Sequence, residues 1–105
     1  MEYLVITLPS LYEKVILKLL IKDQKRIDNL IKQLKINPYV GDQLQIKIIR
    51  EKRLNGKRLY FIVFDDLNAV LIVALSNKKT QQKTIDLIKS KLSDYRGYLK
   101  KILGK

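Results

Sequence analysis

Asn55 and Gly56 stand between two β-rich runs, and this dipeptide constrains the chain more tightly than any other part of its sequence. Both residues adopt positive φ readily, so the pair favours the tight type I′ turn that joins antiparallel strands. The run before it, Leu44 to Glu51, is rich in isoleucine, although basic residues interrupt its alternation. The run after it, Arg58 to Phe64, is β-branched and aromatic, the composition that suits a pleated, half-buried surface. Asp65 to Asn68 supplies a second turn, and Ala69 to Leu75 follows as an unbroken apolar stretch, the pattern of a strand covered on both faces. Three antiparallel strands in a meander are expected, with Ala69 to Leu75 lying centrally.

Tyr3 to Leu8 predicts an N-terminal strand closed by Pro9. Ser10 and Glu13 then match the spacing of a capping box, in which the serine accepts from the N3 amide and the glutamate returns the bond. The helix expected there has Leu11, Val15, Leu19 and Leu20 on one face, with Lys14, Lys18 and Lys22 outward. Asp23 can cap a second helix carrying Ile27, Leu30, Ile31 and Leu34, so the two form a helical hairpin. Asn37, Pro38 and Gly41 end it. After a polar loop with two candidate caps, Asn77 and Thr80, the residues Ile85, Ile88, Leu92, Tyr95, Leu99 and Ile102 recur at spacings of three and four. They predict one amphipathic C-terminal helix, with Gly97 as a kink or an early end. The order is β-α-α-β-β-β-α over a single domain, residues 1–105. It implies an α+β two-layer sandwich with the helical hairpin packed on the sheet.

Composition removes several chemistries. The 105-residue chain has no cysteine and no histidine, which excludes disulfides, thiolate nucleophiles and the commonest metal ligand and neutral-pH proton carrier. Any catalysis falls to lysine, arginine, tyrosine or carboxylates. Asp65 and Asp66 are adjacent carboxylates that a turn explains, and the four glycines are too scattered for a phosphate loop. No metal or other cofactor is therefore expected. Met1 to Leu8 lacks the basic start and long apolar stretch of a targeting signal, and no run approaches the roughly 18 apolar residues of a membrane span. A cytoplasmic location without membrane contact is the expectation.

The net charge is +12, and it is unevenly spread. Residues 43–60 hold six basic residues against one acidic, and residues 76–105 hold nine against two, whereas residues 61–75 hold two acids and no base. Two cationic blocks of this kind suit a polyanion, because neutralising phosphates releases counterions. A lysine-rich solvated surface has the same composition.

The element order, together with Asn37, Pro38, Tyr39 and Gly41, then Leu44, then Gly56, Lys57, Arg58, Leu59, Tyr60 and Phe61, resembles the RelE/ParE toxin superfamily over nearly the whole chain. Val70 to Leu75 followed by Lys78 and Lys79 resembles the place where that family sets a basic residue ahead of its C-terminal segment. The resemblance implies the toxin of a type II toxin–antitoxin pair, RelE-like, with a separate antitoxin as partner. On the RelE branch the target is mRNA at the ribosome, cleaved without metal by attack of the ribose 2′-hydroxyl on the adjacent phosphate. On the ParE branch the target is DNA gyrase. A non-catalytic RNA-binding protein that keeps the fold is a third alternative. The antitoxin is expected to be an acidic or amphipathic helical partner covering the basic face.

Such a 2′-hydroxyl attack needs a base, positive charge for the phosphorane, and an acid for the leaving 5′-oxygen. Arg58 matches the family's third-strand arginine, and its planar fork suits two phosphate oxygens. Lys52 is the candidate base, because the hairpin is expected to fold Arg50, Lys52 and Arg53 beside Lys57 and Arg58, and crowded cations disfavour protonation. Glu51 and solvent could equally relax that repulsion and leave the group to bind backbone phosphates. Arg53 and Lys79 complete the catalytic set, with Lys78 beside Lys79 in a loop ahead of a helix N-terminus. Arg50 and Lys57 are candidate RNA contacts. Tyr60 shares a strand face with Arg58 and is a candidate stacking partner for a base. Gln81 and Gln82 are candidates to hydrogen-bond a base or the antitoxin. Where many nucleases of the family carry a tyrosine or histidine beyond the basic position, this chain has Thr84 and Ile85, so the acid has no owner.

Overall fold

The computed structural model describes residues 2–105; Met1, the start of the stretch read for a targeting signal, lies outside them. The chain runs β1 (Leu4–Thr7), α1 (Pro9–Lys14), a 3-10 turn at Ile16–Lys18, α2 (Ile21–Ile36), β2 (Asp42–Gln43), β3 (Ile49–Leu54), β4 (Lys57–Phe64), a 3-10 turn at Asp65–Leu67, β5 (Ala69–Asn77), α3 (Gln81–Ser90) and α4 (Leu92–Leu103). The strands form one sheet in the order β1-β5-β4-β3-β2, with β1 parallel to β5 and the other pairs antiparallel. The α+β class and the three-strand meander hold. No helix among the described residues is long and apolar enough to cross a membrane.

The Asn55–Gly56 turn forms as its residue types require, with φ of 51° and 81°. It sets β3 against β4 so that Arg53 faces Arg58 and Glu51 faces Tyr60. Strand side chains alternate between faces, and each face of this sheet has its own core. Leu59, Phe61, Val63, Val70 and Ile72 pack with Leu11, Ile27, Leu30 and Leu34 of α1 and α2. Tyr60, Ile62, Phe64, Leu71 and Val73 pack with Ile85, Ile88 and Leu99 of α3 and α4. The C-terminal helices thus add a layer to the sandwich. The central run is covered on both faces, which is why it reads as continuous apolar sequence. β4 is the middle strand, and β5 lies beside it under β1. A register shift at Tyr60 and Phe61 pairs them with Ala74 and Ile72, so one residue of β5 is left without a partner. This bulge resets the alternation and brings Ser76 opposite Arg58.

Four local expectations are corrected. Helix α1 starts at Pro9, whose fixed φ suits the first helical position, so Leu8 is the N-cap and Ser10 lies within the first turn, making no capping bond. The helix stops at Lys14: Val15 leaves helical geometry at φ −123°, Ile16 rather than Val15 is buried, and two successive β-branched residues disfavour continuation. The freed carbonyls of Leu17 and Leu19 accept from the Gln24 amide at 3.2 and 3.0 Å. Asp23 is likewise not the cap of α2, because Leu20 holds that position and Asp23 lies inside the first turn.

The strand expected from Leu44 begins only at Ile49. The Leu44 amide bonds to the Ile49 carbonyl and the Ile49 amide to the Ile46 carbonyl, both at 3.0 Å, so the intervening chain is a tight loop. Its Leu44, Ile46 and Ile48 pack on the α3–α4 side, and the Ile48 carbonyl accepts from the Val63 amide of β4 at 2.9 Å. The short β2 ahead of the loop makes the fifth strand. The single C-terminal helix is instead two, divided at Lys91 rather than at Gly97. The division lets each segment lay its apolar face on a twisted sheet, and it leaves Ile102 47% exposed.

Candidate functional site

Both cationic blocks reach the end of the sheet where the β3–β4 hairpin turns. Arg58 pairs with Ser76, and Lys57 pairs with Asn77, directly ahead of exposed Lys78 and Lys79. The pleat then divides the hairpin. Glu51, Arg53, Arg58 and Tyr60 face α3 and α4, whereas Arg50, Lys52, Leu54 and Lys57 face α2. The structure therefore sets Arg53 opposite Arg58, with Lys78 and Lys79 following the end of β5, but places Lys52, the candidate base, on the opposite face from Arg58.

Arg58 is 9% exposed. Its Nη1 lies 3.6 Å from Oε1 of Glu51, too long for a hydrogen bond, and both Nε and Nη1 are buried without a hydrogen-bond partner. Glu51, 3% exposed, is held from the other side by Gln81 at the first turn of α3, whose amide nitrogen lies 2.8 Å from both carboxylate oxygens. A buried charge is costly unless paired and hydrogen-bonded; here the carboxylate is satisfied, and the guanidinium keeps spare donors. Glu51 is the residue that sequence reasoning treated only as a diluent of positive charge. Its signal was that it stands as the single acid among the six basic residues of 43–60, in strand alternation with Ile49 and Arg53.

Other candidates are engaged elsewhere. Tyr60 is fully enclosed, and its hydroxyl bonds to Ser76 Oγ at 2.8 Å, so no ring face is open for a base to stack on. Burial raises its pKa. Gln81 is committed to Glu51, and Gln82 donates to Asp86 one turn on at 2.9 Å. Arg50 donates to the carbonyls of Tyr39, Val40 and Gly41 at 2.9, 3.3 and 3.0 Å, and its guanidinium lies 5.5 Å from the Tyr39 ring centroid. It works as a clamp on the turn after α2. Lys57 pairs with Asp23 at 3.6 Å, and Arg26 binds the other oxygen at 3.0 Å. Burial opposes ionisation of Asp23, but hydrogen bonds from Asn55 and Arg26 and the nearby Lys57 charge outweigh it and hold the pKa below the ordinary carboxylate range.

Among solved structures, three illustrate the likeness of fold. A mutant of the E. coli toxin RelE in the free state has a TM-score of 0.70 at 14% identity, covering 86% of this chain and 98% of that one. The archaeal RelE–RelB complex from Pyrococcus horikoshii has 0.68 at 17%, covering 74% and 97%. The toxin–antitoxin complex RelBE2 from Mycobacterium tuberculosis has 0.62 at 18%, covering 74% and 100%. The chain has the RelE fold. No protein-family model and no curated protein matches the sequence.

Several of the residues that carried the resemblance turn out to hold the RelE fold itself. Asn37 Oδ1 accepts from the Tyr39 amide at 3.1 Å, Pro38 is buried, and Gly41 has φ of +81°. A Cβ on Gly41 would overlap the backbone carbonyl of Glu51, so glycine is needed for the close approach that pins the strand carrying the Arg58 partner. Tyr39 and Tyr3 both donate to Asp65. These bonds hold the Asp65 carboxyl below its usual range and push Tyr39 up to about 12. Asp65 therefore ties β1 and the post-α2 turn to the β4–β5 turn, and Asp66 pairs with Arg96 of α4.

Proposed function

We propose that this protein is the toxin of a type II toxin–antitoxin pair, that it acts on RNA at the ribosome, and that Arg58 receives the phosphate. The observation that carries the reading is the Arg58 guanidinium on a RelE fold, buried, with two donors unused, opposite Arg53 and on the strand beside the one that leads into Lys78 and Lys79. A phosphate docking there exchanges with Glu51 as the counter-ion of the guanidinium, and the planar fork suits two phosphate oxygens once Nε and Nη1, both enclosed in this structure, are uncovered. A cognate antitoxin is the corresponding protein partner, and the chemistry needs no metal.

In the reaction proposed, the ribose 2′-oxygen attacks the adjacent phosphorus, the bond to the 5′-oxygen breaks, and a 2′,3′-cyclic phosphate and a free 5′-hydroxyl result. Arg58 and Arg53 stabilise the charge that builds on the phosphoryl oxygens. The proton leaving the 2′-hydroxyl needs an acceptor on the Arg58 face; Lys52 is on the other face, and the group in place is the Glu51 carboxylate. Solvent protonates the 5′-oxygen, since Tyr60 is enclosed and Thr84 and Ile85 carry no acid. That missing donor favours a second reading, an RNA-binding protein that does not cleave.

Primer extension on a translated mRNA after induction distinguishes them. New 5′-ends that disappear in Arg58→Ala, with a rate loss on the order of 100-fold, support cleavage. Intact transcripts with arrested DNA replication point instead to the gyrase target. Intact transcripts, unaffected growth and RNA binding lost in Arg58→Ala support the non-cleaving reading.

A further inference from the structure

The outer edge of β5 is only partly covered. β1 pairs with it over Ala69 to Ile72, Leu8 closes onto the Ile72 carbonyl at 3.0 Å, and Pro9 then takes the chain away into α1. From Val73 to Asn77 the strand keeps β4 on its inner side and, among the described residues, has no strand on its outer side. An uncovered edge presents unpaired N–H and C=O groups, a template for another strand.

Beside this edge lies an open groove of about 350 Å³. Val15, Leu19 and Leu75 supply its apolar lining, and Lys57, Ser76, Asn77 and Thr80 its polar rim. Val15, Leu17, Leu20 and Ile21 of the adjoining segment are exposed, the last two at 65%. The lining residues are flanked along the chain by exposed Lys14, Lys18, Lys78 and Lys79, and the nearby Asp23 carboxylate is already taken by Arg26 and Lys57. Lys57 and Leu75 belong to the α2 side of the sheet, away from Arg58.

We propose that this groove takes an extended acidic segment of a partner protein, which adds a strand to the Val73–Asn77 edge. Main-chain bonds to the open edge supply affinity, and alternate side chains of the segment rest on Val15, Leu19 and Leu75. Carboxylates on the other side of the segment meet the lysine rim, which selects acidic partners and speeds their encounter. The aliphatic lining favours a peptide over RNA, because single-stranded bases need aromatic faces to stack on and the groove offers none. The groove reaches Ser76, the strand partner of Arg58, and shares Lys78 and Lys79 with the RNA reading, but the proposal does not use Arg58 itself.

The test is selection of a display library of random short peptides on the folded, immobilised protein, followed by amide chemical-shift mapping with the best peptide. The expected result is enrichment of sequences alternating aspartate or glutamate with aliphatic residues. Their shifts should concentrate on Val73 to Asn77, and affinity should fall about tenfold in Val15→Glu, a substitution at a solvent-facing site that leaves the core intact. Hydrogen exchange at Val73 to Asn77 should slow on binding, which simple charge attraction does not produce. The proposal is overturned if no such sequences emerge, if Val15→Glu binds them equally, or if the shifts fall on Arg53 and Arg58. A uridine oligonucleotide that moves the groove amides when the peptides do not would overturn it too.

Discussion

Glu51 and Arg58 meet across neighbouring strands as a buried pair 3.6 Å apart, with both carboxylate oxygens accepting from the Gln81 amide and the guanidinium left with two idle donors. The pair is lopsided: its anion is settled and its cation is not. Removing the anion should therefore strand a buried charge. Glu51→Leu is expected to destabilise the fold by roughly 3–5 kcal/mol, and adding Arg58→Met should recover most of that. Urea unfolding of the two single variants and the double variant measures the coupling directly; additive losses would show that the pair contributes nothing to the fold.

Asp65 predicts an acid limb in stability. Its folded pKa lies below the unfolded value of about 3.9, through the bonds from Tyr39 and Tyr3. The sign follows: the contribution is complete above the unfolded value and is lost as pH falls through the folded one. Asp23 and Asp66 are lowered too and act in the same direction. The urea midpoint should fall as pH drops below about 4, and Asp65→Asn should make that fall shallower. Tyr39 gives the opposite limb, with stability present below its unfolded value and lost as pH rises through about 12.

Gly41 and Gly56 share a φ of +81° but differ in surroundings. Alanine at Gly56 meets open space, so it should cost only the backbone strain, about 1 kcal/mol. Alanine at Gly41 must also displace the Glu51 carbonyl and should cost distinctly more. Equal midpoint shifts for the two variants would show that β3 yields without resistance.

The packing of α4 can be checked by side-chain truncation. Leu99 is fully buried and Ile102 is 47% exposed, although both fall on the apolar periodicity of a continuous helix. Leu99→Ala should cost about 2–5 kcal/mol and Ile102→Ala within roughly 0.5 kcal/mol. A large loss at Ile102 would indicate that the last turn of α4 is packed.

The hairpin, the meander and the two buried faces were legible because their determinants are local: a dipeptide that tolerates positive φ, and apolar runs whose period matches a strand. The short α1 was not, since helical spacing through Val15 and Leu19 is indistinguishable from the broken turn until the Gln24 amide of α2 donates to its carbonyls from outside the segment. The loop from Leu44 to Ile48 was missed for a related reason, as isoleucines serve a strand and a packed loop equally well. The cationic end of the sheet could be located from charge counts alone. Its division into two faces could not, because that depends on the hairpin pairing, and the role of Glu51 depended on Gln81 arriving from thirty residues away along the chain.

Because side chains along β3 point alternately to either side, a two-residue turn holds more than two strands together. Lengthening the link at Asn55–Gly56 by a single residue and shifting the pairing with it would turn Lys52 toward Gln81 and the acid toward α2. The guanidinium would then confront a like charge in place of its counter-ion. A frame error of one position in the smallest loop of the molecule is thus enough to invert the electrostatic character of its most enclosed polar cluster.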